Sequence, residues 1–125
     1  MRPSDPADPL RILVAEDEFL VALLLEDDLR REGFEVLGPF ARLGQALEAA
    51  RREAFDLALL DVNMNGEMVY PLADELLARG LPFLFLSGYE ATSLPERFRA
   101  APRLAKPYEP AALLRQIERI VGQVG

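Results

Sequence analysis

The chain of 125 residues contains no cysteine and no histidine. Without cysteine there is no disulfide, no zinc–thiolate site and no thiol nucleophile. Without histidine there is no imidazole metal ligand, no Ser-His-Asp triad and no imidazole acid or base. Positive charge is scarce: 14 Lys and Arg stand against 21 Asp and Glu, a formal net charge of −7. This argues against nucleic acid as a direct partner, because that binding depends on neutralising phosphates. No apolar run approaches the ~20 residues of a membrane-spanning helix. The opening stretch "MRPSDPADP" lacks the apolar core of a signal peptide. A cytoplasmic location with no membrane contact is therefore expected. Whatever chemistry the chain performs must come from carboxylates, Lys, Arg, Ser, Thr, Tyr and backbone groups.

What remains suits one globular domain, with 50% apolar and 28% charged residues. Residues 1–9 carry three prolines and two aspartates and read as a disordered lead-in; the domain is expected over 10–125. "RILVA" (11–15), "EVLG" (35–38), "LALL" (57–60), "PFLFL" (82–86) and "RLA" (103–105) are short apolar runs that read as strands. Between them, apolar residues fall at helical spacing: Val21, Leu24, Leu25 and Leu29; Leu43, Ala46, Leu47 and Ala50; Val69, Leu72, Ala73, Leu76 and Leu77. Gly33 and Gly80 close the first and third of these helices. A last helix carries Leu113, Leu114, Ile117, Ile120, Val121 and Val124, with Pro110 near its start. The stretch "SGYEATSLPERFRAAP" is broken by Pro95 and predicts only a short or broken fourth helix. Alternating strands and helices imply an α/β fold, a doubly wound parallel sheet of five strands covered on both faces. Ligands bind such sheets outside the carboxyl ends of the strands.

Those ends carry the chemistry. The first strand ends at Glu16-Asp17, the third at Asp61, the fourth at Ser87-Gly88 and the fifth at Lys106-Pro107. Taken singly, each has an ordinary explanation: a turn residue, a helix-start carboxylate, a solvated lysine. Their joint occurrence at the tips of four strands is harder to dismiss. Three carboxylates brought together must protonate or share a cation. Oxygen ligands without His or Cys favour magnesium, calcium or manganese over zinc. Lys106 and Ser87 suit the oxygens of a phosphate, and Asp61 is a candidate nucleophile for an aspartyl phosphate.

"ILVAEDE", "LALLDVNMNG", "FLFLSG" and "LAKPY", in this order and spacing, resemble the receiver domain of bacterial two-component response regulators, over nearly the whole chain from Leu10. The resemblance implies a flavodoxin-like sheet of strand order 2-1-3-4-5. It implies that Asp61 accepts a phosphoryl group from a sensor histidine kinase or a phosphotransfer protein. It implies Mg2+ held by Glu16, Asp17, Asp61 and the backbone carbonyl of Asn63. Ser87 would hydrogen-bond the phosphoryl group and Lys106 would contact another of its oxygens. Output would then run through a downstream protein partner or a homodimer on the fourth- and fifth-helix face, or the chain would serve as a phosphorelay or phosphate sink. No enzymatic or DNA-binding output domain is expected after Val124; a fragment of a hybrid kinase is the alternative.

Some residues depart from the common receiver pattern. Arg103 stands where many receivers carry a switching aromatic, three positions before the lysine. Tyr89 is a candidate for part of that role, or for gating water; an exposed loop tyrosine is the plain alternative. Asn65 stands where many receivers have proline. Phe85-Leu86-Ser87-Gly88 is similar to the Phe-Ala-Thr-Gly-type motif of an atypical alphaproteobacterial subgroup linked to HWE- or HisKA2-type kinases. Other functions are less well matched. A phosphatase would want a second carboxylate shortly after Asp61, where Val62 and Asn63 stand. A flavin module would want a Ser/Thr/Gly loop where "EDEFL" stands. A receiver-like interaction module that takes no phosphate would not need the full set of charged residues.

Overall fold

Ile12, Leu13 and Val14 are apolar in succession, as suits a strand covered on both faces. They form the centre of β1 (Arg11–Ala15) in a computed structural model that describes residues 9–88 and 94–124. Nearly all of the expected disordered lead-in, and Tyr89, lie outside the described residues. The chain continues through α1 (Phe19–Arg31), β2 (Glu35–Phe40), α2 (Leu43–Arg52) and β3 (Leu57–Asp61). A small hairpin follows, β4 (Asn63–Met64) and β5 (Glu67–Met68), then α3 (Tyr70–Arg79) and β6 (Phe83–Ser87). A 3-10 turn (Glu96–Phe98), β7 (Arg103–Ala105) and α4 (Pro110–Val124) complete it.

Five strands pair in the order β2-β1-β3-β6-β7, all parallel. Counting main strands only, this is the 2-1-3-4-5 order expected. Period-2 alternation splits the strand residues between two cores. Leu13, Ala15, Ala58, Leu60, Phe83 and Phe85 face α2 and α3. Ile12, Val14, Leu57, Leu59, Leu84 and Leu86 face α1 and α4. Parallel register puts all five carboxyl ends at one edge, and there the alternation runs out of apolar residues.

The short or broken fourth helix expected before β7 is, among the described residues between β6 and β7, one 3-10 turn. Pro95, at its start, is extended (φ −54°, ψ 149°) and has no N–H to give a longer helix. Phe98 anchors the turn: it is 1% exposed, stacked 5.6 Å from Tyr70 and edge-on to Phe85 at 5.4 Å. One feature differs from expectation: the β4–β5 hairpin, which the strand-and-helix reading of the sequence missed. Its two-residue turn, Asn65 (φ 60°) and Gly66 (φ 93°), is left-handed at both positions, as a type I′ turn requires. This also explains Asn65: proline cannot take that φ.

Candidate functional site

Glu16, Asp61 and Lys106 continue the α1/α4 face of the sheet by one step. Ala15 pairs with Leu60, which puts Glu16 level with Asp61. Asp61 pairs with Leu86 and Leu86 with Leu104, so Lys106 falls on the same alternation as both. The result is a cluster. One carboxylate oxygen from each of Glu16, Asp17 and Asp61 lies within 4.8 Å of the others. Glu16 is 1% exposed and Asp61 6%. The Lys106 ammonium sits 2.7 Å from Glu16 Oε1, 3.3 Å from Asp61 Oδ2 and 3.9 Å from Glu18 Oε1. Backbone groups hold two of the carboxylates: the Glu18 N–H donates to Glu16 Oε2 at 3.1 Å, and the Asn63 N–H to Asp61 Oδ1 at 3.3 Å.

One ammonium does not balance three carboxylates. Burial first, then Asp17 and Glu16, push the Asp61 carboxyl up to about 8; Lys106 works against them. Burial pulls the Lys106 ammonium down, but Glu16 and Asp61 outweigh it and hold it above its ordinary value. Tyr108, beside the cluster, is pushed up to about 12 by burial and then by Glu16, Asp28 and Asp61.

The cluster opens into a cavity of about 380 Å³ lined by Asp17, Glu18, Asp61, Asn63, Asn65, Gly66 and Lys106. A larger, mostly apolar groove of about 600 Å³ shares Glu18 and Lys106 with it and runs between α1 and Tyr108. The donor set suits a hard divalent cation. All its side-chain ligands are oxygens, gathered within 4.8 Å of one another. A cation there would relieve the repulsion among the carboxylates that Lys106 alone does not balance.

The structure brings together Glu16, Asp17, Asp61, Asn63 and Lys106, five of the six residues singled out in the sequence. Ser87 stands at the same edge, half-buried, but on the opposite alternation from Leu86, and it does not line the cavity. Its carbonyl accepts the Lys106 N–H at 3.1 Å, which ties the tips of β6 and β7 together. Arg103 pairs with Phe85, on the α2/α3 side of the sheet. Its guanidinium donates to the Arg99 carbonyl, and its buried Nε has no hydrogen-bond partner. The sequence reading missed Asn65 and Gly66 as walls of the site, although Asn-Gly is a strong hairpin signal.

Residues 12–118 match the family model of the response regulator receiver domain. The chain belongs to this family. Receiver domains are signalling domains rather than classical enzymes. This receiver domain is 33% identical over 124 residues to the transcriptional regulatory protein PdtaR of Mycobacterium tuberculosis, covering 96% of this chain and 60% of PdtaR. The chain therefore spans only about 60% of that curated relative's length. Among solved structures it is similar to SdrG from Sphingomonas melonis Fr1, with a TM-score of 0.79 and 34% identity over 90% of this chain and 97% of that one. It is also similar to the receiver domain of the sensor histidine kinase PA1611 from Pseudomonas aeruginosa PAO1, at a TM-score of 0.75 and 28% identity over 92% and 99%. That structure has a magnesium ion coordinated in the active-site cleft. Among the described residues of the present chain, no helix is long and apolar enough to cross a membrane.

Proposed function

We propose that this receiver domain accepts a phosphoryl group on Asp61 from a phosphohistidine of a sensor histidine kinase or phosphotransfer protein. The observation that carries the reading is the meeting of Glu16, Asp17 and Asp61 around one point, with Lys106 3.3 Å from the Asp61 carboxylate. An Asp61 oxygen bonds to phosphorus as the phosphorus–nitrogen bond to the donor imidazole breaks, and the electron pair leaves with that nitrogen. Such transfer needs positioning and charge neutralisation more than acid or base chemistry, which fits a site without histidine. Glu16, Asp17, Asp61 and the Asn63 carbonyl would hold Mg2+. When bound, the metal supplies positive charge to the phosphoryl oxygens. Lys106 neutralises a further oxygen, and the Ser87 hydroxyl donates to another once the tip of β6 draws in.

Phosphorylation adds about −1.5 to −2 charge at Asp61, and β6 and β7, joined at Ser87 and Lys106, carry the shift toward the 3-10 turn and α4. Output in this reading is contact with a protein partner, a homodimer, or passage of the phosphoryl group onward, in the cytoplasm. The Phe85–Gly88 motif supports the Phe-Ala-Thr-Gly-type subgroup, and with it an HWE- or HisKA2-type kinase.

Intact-mass spectrometry after incubation with acetyl phosphate tests the proposal. We expect one phosphoryl group to be gained with Mg2+, and none after chelation or in Asp61→Asn. If neither acetyl phosphate nor a kinase labels the folded protein, the reading is wrong and the chain is a receiver-shaped binding module.

A further inference from the structure

Two strands of two residues each do not hold together alone in water, so the β4–β5 hairpin must be fastened by its surroundings. Its base is anchored by Val62, Met64 and Val69, all fully buried. The Val69 N–H donates to the Val62 carbonyl at 2.9 Å, and the Gly66 N–H donates to Asn63 Oδ1 at 2.8 Å. A Cβ at Gly66 would meet no atom within 4 Å, so glycine there answers to backbone conformation and not to lack of space. The exposed tip, Asn65-Gly66, joins Asn63 as the non-ionisable wall of the cavity; every other lining residue is ionisable.

We infer that the hairpin tip is a fixed lip that limits the approach of water to a phosphoryl group on Asp61 and so lengthens the life of the phosphorylated state. The inference rests on Asp61 being the phosphoacceptor. In hydrolysis, a water oxygen bonds to phosphorus and the bond from phosphorus to the Asp61 oxygen breaks. The electron pair returns to the carboxylate, and the water proton ends on inorganic phosphate or in solvent. A rigid, uncharged wall narrows the path for that water, and it brings neither a base to activate the water nor a charge to repel the donor.

Three variants separate the lip from its side chain. Asn65→Pro cannot adopt the left-handed φ and opens the tip while leaving every ionisable residue of the cavity intact. Gly66→Ala strains the same turn without a clash. Asn65→Gly keeps the turn and removes only the amide. Each protein is phosphorylated with acetyl phosphate and Mg2+ and freed of donor, and the loss of phosphoryl mass is followed with time. We expect Asn65→Gly to match the parent, and Asn65→Pro and Gly66→Ala to lose the group at least about threefold faster. Lifetimes equal to the parent's in both strained variants would overturn the lip. So would an Asn65→Gly lifetime as short as theirs, because the amide would then be the cause. If Asn65→Pro fails to take up a phosphoryl group, Gly66→Ala decides. A parent that gains no phosphoryl group sinks the phosphoacceptor reading and the lip with it, whereas a labelled parent with unchanged variants sinks the lip alone.

Discussion

Asp61 keeps its proton in the metal-free fold at pH values where an exposed aspartate has lost it. Burial, Asp17 and Glu16 push it up to about 8, against about 3.9 in an unfolded chain. Between these values folding takes up a proton, so this group's contribution to stability is full below pH 4 and is lost as pH rises toward 8. Asp61→Asn removes the loss. Without divalent cations, it should melt roughly 3–6 °C above the parent at pH 8, with the gap closing toward pH 4. Thermal melts across that range check this, and a gap that narrows with rising pH would contradict it. Magnesium should shrink the gap at pH 8, since a ligand of the folded parent stabilises it. Glu16, Asp17, Asp61 and Lys106 were legible in the sequence because each ends a strand, and parallel register delivers strand ends to one edge. The cavity wall was less legible. Asn65 was noticed only as a missing proline, and its left-handed φ follows from the Asn-Gly turn.

At the scale of elements, the segment after β6 departs most from a regular receiver sequence, and Phe98 holds it. The ring lies among Tyr70, Phe83 and Phe85, while Arg97 next to it caps the ring face at 4.6 Å and pairs with Asp74 of α3. Phe98→Ala should cost about 3–4 kcal/mol, read as a lower denaturant midpoint. Arg97→Ala should cost far less, because that pair is exposed. Similar losses for the two variants would mean that the turn is held by the ion pair and not by the ring. The sequence showed that a long helix was broken here, since Pro95 forbids it. It did not show what replaces the helix, because the anchor is a tertiary contact among four aromatic side chains from three elements, α3, β6 and the 3-10 turn. The five main strands were legible for the opposite reason: their apolar runs are local signals. Boundaries moved by one or two residues, with β2 reaching Phe40 and β3 and β6 ending on Asp61 and Ser87.

At the scale of the molecule, the large apolar side chains left exposed gather on α1. Phe19 is 80% exposed, with Leu20, Leu23 and Leu24 close to it in sequence. No described α4 residue is among the exposed large apolar side chains. Changing Phe19 and Leu20 together to Ser should leave the melting temperature and labelling by acetyl phosphate unchanged, and should slow transfer from a phosphorylated donor protein. Normal transfer from that donor would show that the patch is not used. The sheet has two outer strands, β2 and β7. β2 contains Pro39, which has no N–H to offer, and β7 is three residues long and is followed at once by Lys106-Pro107. Neither rim gives another chain a row of backbone groups to zip onto. The domain can therefore be crowded against copies of itself with little tendency to grow into fibrils along its sheet.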